Sequence, residues 1–307
     1  MAGRRRKEIR VVFFGNHDVG IAALGSLLPK TNVVAVIAHP PDPEEGVCFS
    51  SLHDFAFDSK IPVIRGKATE KSIYDFVKEA SPDLIWVTDY RYLLPLQITS
   101  LAKIGTVNLH PSLLPRYRGR APLNWAIING EDKIGLTAHF IDEGVDSGDI
   151  IKQLPISLSI HQDIGDAINL LIPIYRAITE DVIHCFIEGN VPRRKQDISS
   201  HPVFPSRKPE DGQIHWKNSA LDIYNLIRAV SHPYPGAFTY VNGRKLYLWK
   251  SSFSEDLSSK KQRAGTVLKL NKLNGFDVQC GDGVLNVLEW SAGSDEESNL
   301  IVGDILT

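Results

Sequence analysis

The sequence predicts an α/β fold in which a parallel sheet covered by helices is followed by a small β-barrel. Three observations lead there. Short apolar runs alternate with helically spaced segments through the first half. A polar, proline-bearing stretch then interrupts the pattern from Arg193 to Gly212. Beyond it, one helix is followed by short strands separated by turn residues.

Taken in order, Ile9–Phe14, Val33–Ile37, Ile61–Ile64, Leu84–Val87 and Ile104–Asn108 read as strands buried on both faces, the signature of a parallel sheet. Val19–Leu28, Ser51–Phe57 and Ile73–Ala80 carry apolar residues at helical spacing between them. Ile134–Ile141 and Ile150–Leu158 are extended runs flanking an Asp142–Gly148 loop. His161–Glu188 reads as one long helix, or as a helix with a kink at Pro173, ended by Gly189 and Pro192. Ser219–Val230 is helical. The strands Ala237–Val241, Lys245–Trp249, Gly265–Leu270, Phe276–Cys280 and Val284–Glu289 complete a barrel of the OB kind, with Asn242-Gly243 as a hairpin turn. Trp216, Trp249 and Trp290 are expected in its core. The domains are placed at 1–200 and 201–307.

Composition narrows the functional classes. A chain of 307 residues with 43% hydrophobic and 23% charged residues is an ordinary globular protein. Its net charge of −2 gives no argument for nucleic acid or a membrane surface. Cys48, Cys185 and Cys280 lie far apart without paired spacing, which fits a reducing cytoplasm. No metal-binding spacing is present, so no metal is expected. The basic Gly3–Lys7 segment lacks a following signal core and reads as a solvated tail, and no apolar run reaches membrane-spanning length. Gly15-Asn16-His17-Asp18-Val19-Gly20 is neither a dinucleotide fingerprint nor a P-loop, and reads equally as a tight strand-to-helix turn or as a ligand-contacting loop.

The chemistry concentrates in Asn108-Leu109-His110-Pro111-Ser112-Leu113-Leu114-Pro115 and in Asp146. Asn108 and His110 close the fifth strand, where open parallel sheets collect their ligands. Two residues apart on an extended segment, they point the same way. Moving a carbonyl group onto an amine passes through a tetrahedral oxyanion. An Asn amide can donate to that oxygen, and losing such a donor costs about 2.7–4 kcal/mol of barrier. A histidine, with an ordinary pKa of about 6.5, can take the amine's proton. Asp146 can orient that imidazole, balance its charge, or relay a proton through water.

Asn108-x-His110-x-Ser112-Leu113-Leu114-Pro115, with Gly119 and Asp146, resembles the folate-dependent formyltransferase family. That resemblance implies a Rossmann-like catalytic domain with an OB-like C-terminal domain. It implies 10-formyltetrahydrofolate as co-substrate, and Asn108, His110 and Asp146 as the catalytic set. It also implies that Arg91, Tyr92 and Leu93, together with Ile141, Asp142, Glu143 and Val145, hold the pterin ring.

Within the family, the chain is similar to the sugar N-formyltransferases, notably the formyltransferase module of the enzyme acting on UDP-4-amino-4-deoxy-L-arabinose. His17–Gly20, Tyr90-Arg91, Tyr117–Trp125, Asn129–Glu131 and the stretch from Arg228 to Phe238 carry this likeness. The dehydrogenase-decarboxylase module of that enzyme has no counterpart in these 307 residues, so a stand-alone enzyme for another nucleotide-linked amino sugar is expected equally with the arabinose substrate. The implied acceptor is a UDP- or dTDP-linked amino sugar used in cell-surface polysaccharide or lipid A synthesis. Tyr90, Arg116, Arg118 and Arg120 are its expected contacts, with guanidinium suited to diphosphate. The alternative is methionyl-tRNA formyltransferase. Against it, residues 205–307 carry 12 Lys and Arg and 12 Asp and Glu, and the loop His39–Gly46 is acidic and short, whereas tRNA binding needs many cations on phosphate. The C-terminal domain carries no identifiable chemistry and is expected to pack against the catalytic domain or to form a homodimer contact.

Overall fold

A computed structural model of the chain describes residues 8–40, 50–254, 262–271, 275–293 and 300–307. The basic N-terminal segment, Cys48 and the acidic part of the His39–Gly46 loop lie outside the described residues. The chain divides into two compact units. The first comprises Met1–Gly119, Ile134–Ile156 and Asn169–Val203, and the second Arg120–Lys133, Ser157–Ile168 and Phe204–Thr307.

In the first unit the elements run β1 (Arg10–Gly15), α1 (His17–Leu27), β2 (Asn32–Ala38), α2 (Leu52–Asp58), β3 (Val63–Arg65), α3 (Lys71–Ala80), β4 (Leu84–Thr88), α4 (Leu96–Thr99) and β5 (Gly105–His110). After them along the chain come β6 (Arg118–Gly119), α5 (Pro122–Ile128), which belongs to the second unit, β7 (Lys133–Phe140), β8 (Ile150–Ser157) and the helix α6 (Ile164–Glu188), whose first residues also belong to the second unit. The sheet order is β3-β2-β1-β4-β5-β7-β8. Strands β1 to β5 are mutually parallel, and β7 returns antiparallel to β5. The five apolar runs therefore form the parallel sheet expected of them. Val11 to Phe14 and Leu84 to Trp86 are fully buried, as a sheet covered on both faces requires. The strand order reverses between β1 and β4, which sets the switch point beside the end of β5.

Two helices go beyond the sequence reading. With four and seven residues, α4 and α5 are too short for a helical period to stand out. The long helix α6 continues through Pro173, and Gly189, at φ 70°, ends it in a left-handed conformation.

The stretch read as a linker contains β9 (Val203–Phe204) and a 3-10 turn at Pro209–Gly212. It begins as a strap rather than a loose connection, because Arg194 exchanges both backbone hydrogen bonds with Ile150, at 2.8 and 2.9 Å.

The second unit contains α7 (Ala220–Val230), β10 (Ala237–Val241), β11 (Arg244–Ser254), β12 (Val267–Leu270), β13 (Phe276–Gln279) and β14 (Val284–Ala292). The five strands form an antiparallel sheet in the order β10-β11-β14-β13-β12. The last residues bring its two edges together. Thr307 and Tyr240 exchange backbone bonds of 2.9 Å, Leu306 donates to Gly265, and Val267 donates to Asp304. Asn242 and Gly243 both take positive φ, the geometry of the expected hairpin turn. Leu246, Leu248, Val267, Phe276, Val278, Leu285 and Val287 fill the interior. Trp216 joins this core, donating its indole N–H to Thr239. Trp249 and Trp290 are only half-buried, contrary to expectation, and Trp249 stacks on His232 at the surface.

Buried Arg228 explains why two earlier segments, Arg120–Lys133 and Ser157–Ile168, belong to this unit. Its guanidinium donates to Asn225 Oδ1 and to the carbonyls of Gln162 and Ile127. Asn124 adds a 2.8 Å bond to the Ala229 carbonyl.

Candidate active site

Strand β5 carries Asn108 and His110 to its end on one side of the pleat, as their spacing predicts. Antiparallel pairing with β7 sets His139 directly opposite Asn108, and Thr137 opposite His110. Thr137 then fixes the loop that follows. Its hydroxyl donates to the Ser112 carbonyl and accepts the Leu114 N–H, while Gln153 donates to the Leu114 carbonyl.

Asp146 reaches the same place from the loop between β7 and β8. That loop closes tightly. A Cβ on Gly148 would collide with the Phe140 carbonyl, and one on Gly144 would collide with Ser147. Asp142 Oδ1 accepts from Gly144 N and Ser147 Oγ, fixing the turn. Asp146 itself sits at φ 48°, the left-handed region, which costs a non-glycine residue about 1–3 kcal/mol.

The carboxylate meets three side chains and one backbone N–H there. Oδ2 lies 3.5 Å from His110 Nδ1 and accepts the Gly119 N–H at 2.9 Å. Oδ1 lies 3.4 Å from Asn108 Nδ2 and 3.5 Å from His139 Nε2. His110 Nε2 faces the Tyr117 carbonyl at 2.9 Å. A carbonyl only accepts, so Nε2 carries the proton in neutral His110, and Nδ1 keeps its lone pair beside Asp146. The same logic applies to His139. Its Nδ1 donates to the Phe140 carbonyl, so Nε2 accepts the Asn108 amide at 3.2 Å.

These contacts perturb both ionisable partners. Burial drives the His110 pKa below the usual imidazole value; Asp146 and the Tyr117 hydrogen bond oppose this, and His139 adds to it. Burial pushes the Asp146 carboxyl up, but His110, His139 and the Gly119 N–H outweigh it and hold it well below the usual carboxylate range. The site therefore pairs a neutral base with a persistent negative charge.

The segments expected to hold the pterin ring also meet. Tyr92, Leu94 and Ile141 pack against one apolar cluster that includes Phe14, Tyr90 and Ile98. His39 accepts the Arg91 N–H at 2.9 Å and stacks on Tyr92. Leu93 is 69% exposed, an apolar side chain presented to solvent. Arg91, Asp142 and Glu143 are exposed, and Val145 is half-buried.

The residues expected to contact the acceptor separate into two kinds. Tyr90 is buried, with its hydroxyl donating to the Gly66 carbonyl. Arg118 is buried and donates to the Val145 and His201 carbonyls. Both side chains are engaged by the scaffold. Arg116 and Arg120 are exposed.

His139 is the site residue the sequence reading passed over. A polar residue inside a run otherwise buried on both faces was the available signal.

A parallel sheet with an amide, an imidazole and a carboxylate converging beyond one strand defines an enzyme of carbonyl transfer. The chain belongs to the formyl transferase family: the formyl transferase domain matches residues 10–169, and the formyl transferase C-terminal domain matches residues 207–299. Solved structures share the fold. WlaRD, a sugar 3N-formyltransferase studied with dTDP and 5-N-formyl-THF, is 22% identical, with a TM-score of 0.69 over 92% of this chain and 98% of its own. An N-formyltransferase from Helicobacter canadensis, in complex with folinic acid and dTDP-3-aminofucose, is 21% identical, with a TM-score of 0.69 over 92% of this chain and 100% of its own. Methionyl-tRNA formyltransferase from Clostridium thermocellum is 21% identical, with a TM-score of 0.56 over 80% of this chain and 94% of its own.

Proposed function

We propose that the chain transfers the formyl group of 10-formyltetrahydrofolate to the amine of a UDP- or dTDP-linked amino sugar, in the cytoplasm, for cell-surface polysaccharide or lipid A synthesis. The observation that carries the reaction is the convergence of the Asn108 amide, His110 Nδ1 and the Asp146 carboxylate at the end of β5.

The amine nitrogen attacks the formyl carbon, and the carbonyl oxygen gathers negative charge. Of the two Asn108 amide contacts, the 3.4 Å one to Asp146 is the weaker, so that hydrogen is the one free to turn to the oxyanion. His110 Nδ1 takes the proton leaving the amine, and the resulting imidazolium faces Asp146 on one side and the Tyr117 carbonyl on the other. The carbon–N10 bond then breaks, and the same proton passes to N10 of the departing tetrahydrofolate. The new amide and tetrahydrofolate together contain every atom of the reactants.

Exposed Leu93 and the backbone of Arg91–Leu93 and Ile141–Val145 suit a flat, hydrogen-bonding pterin. The diphosphate falls to Arg116 or Arg120, since Arg118 and Tyr90 are engaged elsewhere. The solved sugar formyltransferases support a nucleotide-sugar acceptor through their shared fold and full-length match. The balanced charge of residues 205–307 supports it against tRNA.

The test incubates the protein with 10-formyltetrahydrofolate and a panel of UDP- and dTDP-amino sugars, with methionyl-tRNA as a parallel acceptor. A formylated sugar nucleotide appearing in step with tetrahydrofolate is the expected result. Formylation of the tRNA alone overturns the acceptor and leaves the chemistry standing.

A further inference from the structure

We infer that Gln196 is a positioning residue for this reaction: its side-chain amide clamps the β7–β8 loop and sets the catalytic geometry of Asp146. The inference rests on the reading of Asp146 as part of the catalytic set.

The loop between β7 and β8 has little regular structure to hold it, yet it must present Asp146 in a left-handed backbone conformation. Donors from elsewhere in the first unit take three of its carbonyls. Arg118 Nε donates to Val145 O at 2.9 Å. Gln196 Nε2 donates to Asp146 O at 3.0 Å and to Gly148 O at 2.7 Å. One amide group thus spends both hydrogens on the carbonyls either side of Ser147. The opposite orientation of the amide would set its oxygen against two carbonyl oxygens, so chemistry fixes which way it points.

Gln196 is itself anchored. It lies on the strap that begins at Arg194, where backbone bonds join it to Ile150, and that Arg118 ties again at the His201 carbonyl. A rigid strap, an amide and a strained loop are linked in series to the carboxylate.

A second observation separates this role from simple stability. Gln196 Oε1 is buried and has no hydrogen-bond partner among the described residues. Leaving a buried acceptor unpaired carries a desolvation cost that an apolar side chain in the same place would avoid. The residue at 196 keeps that cost together with its two donors. One of the two carbonyls it holds belongs to Asp146 itself, the loop residue whose side chain touches His110 and Asn108.

Gln196→Met keeps the length of the side chain and removes both donors. The first readout needs no turnover: His110 is followed by NMR of ring-labelled histidine against pH. The groups facing its ring are Asp146, His139 and the Tyr117 carbonyl. Asp146 raises the His110 pKa, so a displaced carboxylate lowers it further. The expected result is that Gln196→Met and Asp146→Asn both move the titration to lower pH, and that the double variant moves it no further than Asp146→Asn alone. A Gln196→Met titration matching the unmodified protein, with the fold retained, overturns the proposal.

The second readout is kinetic. On an amino-sugar nucleotide the protein turns over, Gln196→Met should lower kcat at least tenfold with KM changed less than threefold, and Gln196→Asn should recover part of the loss. If Gln196→Met costs as much in the Asp146→Asn variant as it does with Asp146 intact, the proposal is overturned, because the effect would then bypass the carboxylate. An unmodified protein that formylates no amine refutes the functional reading, while the titration still decides the role of Gln196.

Discussion

The molecule buries two polar clusters, and they are built on opposite principles. Around Arg228 in the second unit, nearly every donor ends on a backbone carbonyl, at distances from 2.8 to 3.4 Å. Around Asp146 in the first unit, backbone bonds of 2.8 to 2.9 Å anchor the side chains, but the side chains also face one another, at 3.2 to 3.5 Å, with ionisable groups opposed. The first arrangement satisfies donors and stops there. The second keeps contacts longer than good hydrogen bonds, holds an imidazole uncharged beside a carboxylate, and relies on a left-handed Asp146. A buried polar group that faces no ionisable partner reads as scaffold; one that adds an opposed titratable side chain to its backbone bonds reads as placed for chemistry. Arg118 lies within reach of the Asp146 loop but follows the scaffold pattern, and that moves it from the substrate side of the site to the supporting side.

The sharpest way to break this contrast is to delete one residue from each cluster. His110→Ala should cut kcat at least a hundredfold, on the scale of removing a general base, while thermal unfolding shifts little. Arg228→Met should do the reverse. It strips charged donors from two buried carbonyls and from Asn225, costing about 2–3 kcal/mol of stability, and the folded fraction should retain its kcat. Thermal melts and steady-state rates on both variants decide it. An Arg228→Met protein of normal melting temperature and collapsed kcat would erase the distinction.

The pH profile tests the electrostatic half of the comparison. His110 works in its neutral form, so kcat/KM should fall as pH drops through its pKa. Burial places that acid limb below the position of an ordinary histidine. Asp146 opposes burial, and Asp146→Asn should carry the limb to still lower pH while reducing the plateau by at least tenfold. An acid limb that disappears in Asp146→Asn would mean that the carboxylate, not His110, is the group titrating. For Asp146, the depressed folded pKa works in one direction: ionisation stabilises the fold above the unfolded carboxylate range, and that contribution is lost as pH falls toward the folded value.

Much of the parallel sheet was legible in the sequence because strands buried on both faces must be apolar throughout, and β1, β2 and β4 are. The residues proposed as catalytic were legible for a related reason: Asn108 and His110 close such a strand and share one face of it. The short helices α4 and α5 were not, since four and seven residues carry too little periodicity. Gln196 was invisible because its partners are carbonyls, and a carbonyl is supplied by any residue type. Arg118 and Tyr90 carry the right chemistry for a phosphate or sugar, but only the fold could reveal that backbone carbonyls had already engaged them.

His139 lies between the legible and the hidden, and it is where the comparison predicts the smallest effect on activity. It has one foot in each pattern. Nδ1 donates to the Phe140 carbonyl, as a scaffold residue would, and that bond fixes its tautomer; Nε2 then accepts the Asn108 amide, as a site residue would. It meets the proposed catalytic set through Asn108 and Asp146, and its ring faces that of His110. Removing it frees the Asn108 amide to rotate without removing the amide, so His139→Ala should cost about tenfold in kcat, against a hundredfold or more for Asn108→Ala. His139→Ala should also add little once Asn108 is already Ala, because residues that share one contact are not additive. Rates for the two single variants and the double variant measure this directly. If His139→Ala equals or exceeds Asn108→Ala, His139 acts on the reacting atoms in its own right, and the boundary between scaffold and chemistry runs one residue deeper into β7.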